Sequence, residues 1–505
     1  MTVPVVEYGL RRTLIVVGVM MAALLQTLDA TIVNVALPTI EGNVGASIDD
    51  GTWIITGYII SNVIAIPLAP FLLQRLGRRR YYAGCIIGFT AASLLCGTAT
   101  TLPALVAFRI VQGAFGGGLI ATSQIILRDT FPSEKIGASS ALFAIALTVG
   151  PALGPTVGGI LTDNLSWQWV FDINAVPGTL AAIIVIALLR NPAPPRKLPF
   201  DGVGIALLAA GLGSLQYVLD EGERNDWFGD ERIVGFAVAG VLGIAAFIAW
   251  ELRARAPIVD LRMFRYPNLR SGTVTAVLLG MVIFGPTVML PQYVQTILGF
   301  SATQSGLLVL LRALPVLACT PLVARLATKV DVRILLGTGF LLSAASFVML
   351  GSGMTAVSDF GTFALALVVS GVGQSMLLVP LLVGIISTVA PQDSPKASSF
   401  VSLSVQLGGS IASTVLVTVF DRRTFFHSDI YRGALTLHSP QVAHLLTLPH
   451  ALQRLSALVQ QQAASAGFAD AIFALVPVAV AAVLVCLLLR VPRRRAAPVA
   501  MVAVE

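Results

Sequence analysis

Apolar positions along this chain come in long unbroken runs. Stretches able to cross roughly 30 Å of hydrocarbon recur at 13–36, 52–73, 81–99, 103–127, 139–161, 168–189, 202–220, 233–251, 269–293, 304–326, 333–351, 360–383, 399–420 and 469–489. Runs near twenty residues satisfy their own backbone hydrogen bonds only as helices, whereas a membrane β-barrel shows short alternating segments. The pattern therefore predicts an all-α membrane protein of fourteen transmembrane helices. Polar breaks are short except at 424–468, where "HALQRLSALVQQQAASAG" (450–467) carries the period of an amphipathic surface helix.

Composition agrees with that environment: 56% of residues are hydrophobic and 11% charged, against about a quarter charged in a soluble domain. A formal net charge of +7 raises a nucleic-acid partner, so the placement of the cations matters. With the N-terminus inside, they gather on one face of the membrane, at Arg11, Arg12, Arg75, Arg78 to Arg80, Arg190, Arg196, Lys197, the loop 253–270 and Arg493 to Arg495. The opposite loop "DEGERNDWFGDER" (220–232) is mainly acidic. This bias predicts both termini in the cytoplasm and accounts for the basic excess without nucleic acid. The first run is too long for a cleaved signal peptide and has no small-residue cleavage site before Pro38, so it is expected to remain as a span. Cys85, Cys96, Cys319 and Cys486 all fall inside spans and read as small core residues, not as a disulfide framework.

The chain also looks duplicated. "PFLLQRLGRRR" (70–80), after the second span, has an echo in "PLVARLATKVDVR" (321–333), after the tenth. Two like bundles with a substrate site between them near the midplane follow from such a repeat. The expected organisation is a six-helix bundle over 1–190 and a linker with two intervening helices over 191–254. A second bundle follows, with five helices in 255–423, an extracytoplasmic loop at 424–468, a last helix at 469–490 and a basic tail at 491–505.

No Gly-Lys dipeptide exists to build an ATP-binding loop, and neither GxGxxG nor HExxH occurs. No enzyme activity, cofactor or metal site is expected. The four histidines, His427, His438, His444 and His450, are spaced at intervals that put no two on one helical turn. They read as solvated loop residues, with a metal or proton sensor as the alternative.

Ionisable groups inside spans are expensive in lipid and mark function by default. Asp29, in "LLQTLDATIVNVALP" (24–38), lies roughly 14 Å of helix below the outer end at Pro38, and Arg109, in "LPALVAFRIVQGAFGGG" (102–118), roughly 9 Å below Pro103. Both occupy the outer half of the membrane. A carboxylate in a dry cavity is pushed towards its neutral form and a guanidinium pulls it back, so the pair suits proton coupling; a fixed structural strut is the alternative. Arg312, in "LLVLLRALPV", is either a cavity cation or a snorkelling one. Gln26, Asn34, Gln112, Gln292, Gln295 and Gln374 offer hydrogen bonds to a substrate in an apolar cavity, or else bond between helices. "ALTVGPALGPTVGGIL" (146–161) repeats Gly at 150, 154 and 158, adds Gly159, and places Pro151 and Pro155 at the same period. GxxxG alone describes a close helix contact, while the doubled Gly-Pro adds bends.

"LDATIVNVALP", "RIVQG" and "GPALGPTVGG" resemble the first-span signature, fourth-span arginine motif and antiporter motif of the major facilitator superfamily, in its drug:proton antiporter branch with fourteen spans. "GLGSLQYVLDEGERNDWF" (211–228), "PIVDLRMF" (257–264) and "LPQYVQTILGFSATQSGL" (290–307) are similar to the EmrB-type subgroup. The resemblance implies two six-helix bundles plus two intervening helices, and proton-driven export of amphipathic drugs. It further implies proton and substrate coupling by Asp29 and Arg109, an antiporter motif of Gly150, Pro151, Gly154, Pro155, Gly158 and Gly159, and inner-loop gating by Arg75, Gly77 and Arg78. Pumps of this type also work with a periplasmic adaptor and an outer-membrane channel, and the 424–468 loop is the expected contact. The chain departs from the family at Pro70 and Gln74, where the inner-loop motif usually has Gly and Asp, and at Val405, where relatives often have Arg before "GGSI". Three functions fit this sequence: export of amphipathic toxicants, export of one endogenous metabolite, siderophore or lipid, and a non-transporting receptor or scaffold.

Overall fold

The computed structural model describes every residue except 1–6, 47, 133–135, 192–193, 196–200, 255–256, 328, 391–392, 435–450 and 491–505. Among the described residues there is no β-strand. The long helices, in order, are α1 (Gly9–Val44), α2 (Trp53–Leu76), α3 (Arg78–Gly97), α4 (Leu102–Thr130), α5 (Ile136–Asn164), α6 (Trp169–Leu188), α7 (Gly202–Glu221), α8 (Glu231–Arg253), α9 (Pro267–Thr296), α10 (Ala302–Leu326), α11 (Val332–Gly353), α12 (Phe360–Ile386), α13 (Ser394–Ala434) and α14 (Leu452–Cys486).

Thirteen of these are long and apolar enough to cross a membrane. The remaining one, α3, opens on Arg78, Arg79 and Arg80, which dilute its apolar window. Its 20 residues still reach about 30 Å, and it packs against α4 and α6 inside the first bundle.

Helix ends are set locally. Ser301 and Gln304 form a reciprocal cap at the start of α10, with bonds of 3.2 and 3.0 Å. Asp359 accepts the backbone N–H of Thr362 at 2.9 Å at the start of α12. Gly77, between α2 and α3, adopts φ +85°, a conformation that favours glycine.

The helix pairs repeat. In the first half α1 packs on α5, α2 on α4 and α3 on α6; in the second, α9 packs on α13, α10 on α12 and α11 on α14. Contacts between the halves obey the same two-fold relation, since α5 packs on α10 and α2 on α13. Of the intervening helices, α7 rests on α2 and α13 while α8 rests on α7. Only 17% of the apolar window of α8 is buried, against 72% for α12, so α8 meets lipid and α12 is central.

The described residues of the expected loop 424–468, namely 424–434 and 451–468, are helical. α13 has 41 residues, about 60 Å, and runs on to Ala434, while α14 begins at Leu452, with the two packed together. The expected helical period is real but continuous with the spans. A tilted contact between the Phe420 and Phe468 rings at 4.2 Å, an ion pair from Arg423 to Asp470, and His427 Nε2 at 2.8 Å from Asp470 hold the two helices together. His438, His444 and His450 lie outside the described residues.

Candidate functional site

Asp29 and Arg109 come together. Asp29 on α1 is fully buried and Arg109 on α4 is 1% exposed. Arg109 Nη1 donates to Asp29 Oδ2 at 2.6 Å and to Gln112 Oε1 at 2.8 Å, and its Nε donates to the Ile54 carbonyl at 3.1 Å. The other carboxylate oxygen, Oδ1, accepts from Gln112 Nε2 at 2.9 Å and Asn174 Nδ2 at 3.1 Å. The guanidinium lies 4.1 Å over the Tyr58 ring, a cation–π contact suited to a dry site. Two amide donors and one guanidinium thus surround the carboxylate inside a low-dielectric bundle, where only complete pairing offsets desolvation.

Sequence reasoning found the acid, the arginine and Gln112, and missed Asn174, Ser93 and Tyr58. Asn174 sits at the interruption of α6, between helical stretches Trp169–Asp172 and Ala175–Leu188, and its amide also donates to Ser93 Oγ at 2.9 Å. An Asn inside an apolar run was the available signal.

The glycine face of α5 explains its helix breakers. A Cβ on Gly150 would collide with Thr27, on Gly154 with Thr31 and on Gly158 with the Ile32 carbonyl, all on α1. The face is therefore a close contact with the helix that carries Asp29. Pro155 has no N–H and leaves the Pro151 carbonyl without its usual helical donor. The Thr31 hydroxyl reaches that carbonyl at 3.5 Å, and the Thr27 hydroxyl reaches Ala146 O at 3.1 Å. The Thr31 hydroxyl thus meets the carbonyl that Pro155 leaves without a donor, as lipid-embedded helices require, while the Thr27 bond is a further tie between α1 and α5. The opposite side of α5 meets α10, where a Cβ on Gly306 would strike Thr156.

At the start of α3, Arg78 is 3% exposed and donates to Asp129 Oδ2 of α4 at 3.0 Å. It also donates to the Arg190 carbonyl at 3.4 Å. Asp129 thereby supplies a carboxylate that position 74, a glutamine, does not. Arg75 is half-buried on the last turn of α2.

The seven residues read as cavity candidates separate. Gln112 belongs to the Asp29 network; Gln26 is buried, and its carbonyl accepts from Tyr58 at 3.4 Å. Asn34 and Gln292 are exposed. Gln295 donates to Ser305 at 3.2 Å, an interhelical bond between α9 and α10. Arg312 and Gln374 alone of the seven border a string of three voids of about 20 Å³ each between the bundles. Leu147 and Phe284 wall all three, and Pro151 of the glycine-proline helix faces the one beside Arg312. Val405 borders the other two, so Arg312 stands one void away from it. Gln124, which accepts from Ser402 across the bundles at 3.2 Å, was missed because one amide in an apolar run does not announce which bundle it faces. A crevice of about 360 Å³, where the start of α2 and the end of α7 meet the middle of α13, is lined by Asp220, Glu221, Glu223, Arg224 and Asp421, and none of the seven reaches it. Among the described residues no group of His, Cys, Asp and Glu is placed to hold a metal.

Comparison with known proteins gives a consistent result. The family profile of the Major Facilitator Superfamily matches residues 19–302 and 272–427. The Multidrug export protein EmrB of Escherichia coli K12 is 34% identical over 83% of this chain and 82% of its own length. The Fatty acid resistance protein FarB of Neisseria gonorrhoeae is 34% identical over 83% of each chain. Among solved structures, the human organic anion transporter TETRAN superposes with a TM-score of 0.63 over 94% of this chain and 99% of that one, at 15% identity, a likeness of fold.

Proposed function

Since the chain belongs to the major facilitator superfamily, we propose that it exports amphipathic toxic compounds across the inner membrane by alternating access, with proton influx as its energy source. The observation that carries this reading is the sealed Asp29–Arg109 pair on the helix against which α5 presents its glycines. A proton delivered to Asp29 neutralises the acid and weakens its bond to Arg109. The helix α1 then shifts against the smooth face of α5. Because α5 also packs on α10, the shift reaches the second bundle and opens the seam between the halves. At about 150 mV one proton supplies roughly 3.5 kcal/mol, which sustains a few-hundredfold gradient of an uncharged substrate.

Both termini face the cytoplasm in this reading. Gly77, Arg75 and Arg78 close the inner side, with Arg78 latched to Asp129. The outer helical hairpin of α13 and α14, where Phe425 and Leu452 are exposed, is the surface offered to a periplasmic adaptor. A photocrosslinker at Phe425 captures one periplasmic partner if the pump is tripartite and none if it works alone.

The central test is proton movement in energised inverted vesicles on addition of lipophilic compounds. Wild type collapses the proton gradient on substrate addition and Asp29→Asn does not. Equal responses from both would move the coupling site away from Asp29, and silence from wild type towards every compound would overturn the exporter reading.

A further inference from the structure

Arg312 is 6% exposed, and its guanidinium offers five N–H donors that stay charged at any biological pH. Three bonds are made: Nε to Gln374 Oε1 at 3.2 Å, Nη1 to Thr287 Oγ1 at 3.0 Å and Nη2 to the Ile283 carbonyl at 2.7 Å. Every acceptor is neutral. Among the described residues two N–H groups, one on each terminal nitrogen, are left over. Among the described residues no carboxylate lies within ion-pair distance of it.

The other buried arginines differ: Arg109 has Asp29 and Arg78 has Asp129. A buried cation with no counter-ion is costly, and neutral hydrogen bonds offset only part of the desolvation. The backbone that carries it is packed tightly, because α12 approaches so closely at Gly371 that any Cβ there would strike the Arg312 carbonyl. Gln374 occupies the last turn before α12 is interrupted at Met376 and Leu377, which fixes the amide beside the guanidinium.

The surroundings indicate what supplies the missing negative charge. Arg312 is the one charged residue among those lining the three voids, whose walls are otherwise apolar or uncharged, including Leu147, Ile283, Phe284, Val309 and Leu378. Each void is about the size of one water molecule, and the string follows the surface where the two bundles meet. When the bundles part, this surface becomes an apolar cavity with a single positive charge on its wall.

We propose that Arg312, with Thr287 and Gln374, is the recognition point for the anionic head group of an amphiphile, a carboxylate or sulfonate, whose apolar body lies against Phe284 and Leu147. The proposal rests on the exporter reading for its biological meaning, but the site is testable without it. A wall of this charge also rejects cations, since a positive head group there would face an unpaired guanidinium in low dielectric.

The probes are 1-anilinonaphthalene-8-sulfonate and N-phenyl-1-naphthylamine, which share a skeleton and differ by the sulfonate. In energised inverted vesicles carrying the full chain, Arg312→Gln raises the half-saturating concentration of the sulfonate at least tenfold and changes that of the amine less than twofold. Arg312→Lys, which keeps the charge, loses less than Arg312→Gln and reports whether the fold tolerates substitution. Equal effects on both probes, or none, overturn the proposal. Binding is read separately as the rise in melting temperature of the purified protein in uncharged detergent. A rise with the sulfonate that disappears in Arg312→Gln, while wild-type vesicles move neither probe, keeps the anion site and overturns the exporter reading. No rise with the sulfonate overturns the site whatever the vesicles do. An Arg312-dependent rise with chloride against gluconate, and none with the sulfonate, shows an inorganic-anion site and also overturns it.

Discussion

Arg109 and Arg312 are two arginines buried in lipid-spanning helices of opposite bundles, and the protein treats them differently. Arg109 is neutralised by Asp29, and the two share Gln112 in a closed circuit. Arg312 is surrounded by neutral acceptors only. A sealed pair suits a group whose charge is altered by a proton, since protonating Asp29 leaves a cation that the rest of the circuit must hold. An unpaired cation suits a group completed by something that arrives and leaves. The duplicated helix packing makes the contrast sharper, because the halves share an architecture and differ in where charge is balanced within the chain.

The comparison breaks most decisively at Arg109. Arg109→Gln strands the Asp29 carboxylate, and losing one partner of a buried pair costs about 3–5 kcal/mol, read as the loss in denaturant stability of the purified protein. The double variant Asp29→Asn with Arg109→Gln loses less than the sum of the singles if the pair is coupled; simple additivity would show that the two residues act separately. Gly154→Leu comes next, since its side chain has no room against Thr31 and overpacking costs about 1–3 kcal/mol. Its export rate falls together with its stability, and an unchanged rate would detach the α1–α5 contact from transport.

Asn174→Ala removes one of the hydrogen bonds to Asp29 while Arg109 and Gln112 remain, a loss of about 1 kcal/mol with reduced coupling efficiency in the vesicle assay. Arg312→Gln has the smallest effect on stability, within about 1 kcal/mol, because no carboxylate is stranded and Ile283 O still accepts from Thr287 at 2.8 Å. A loss as large as that of Arg109→Gln would show that Arg312 is a structural strut and erase the contrast.

Much of this molecule was legible in its residues alone. Runs of apolar side chains report the membrane and its helices because burial in lipid acts on each residue of a span, whatever its neighbours in space. Asp29, Arg109 and Arg312 stood out for the same reason, since a charge inside such a run is costly wherever the helix ends up. The glycines of α5 announced a close contact. What the residues did not disclose was which helix met which. Asn174 reaches Asp29 from 145 positions away and Asp129 completes Arg78 from 51, pairings decided by how distant helices pack. The same packing sorted the glutamines: Gln112 joined the Asp29–Arg109 network, Gln295 bonded a neighbouring helix, and Gln374 reached the voids between the bundles. The absence of a counter-ion at Arg312 is likewise a property of a whole neighbourhood drawn from α9, α10 and α12. Hydropathy is a local quantity and is written along the chain, whereas compensation of a charge is a sum over everything nearby and exists only once the helices are assembled.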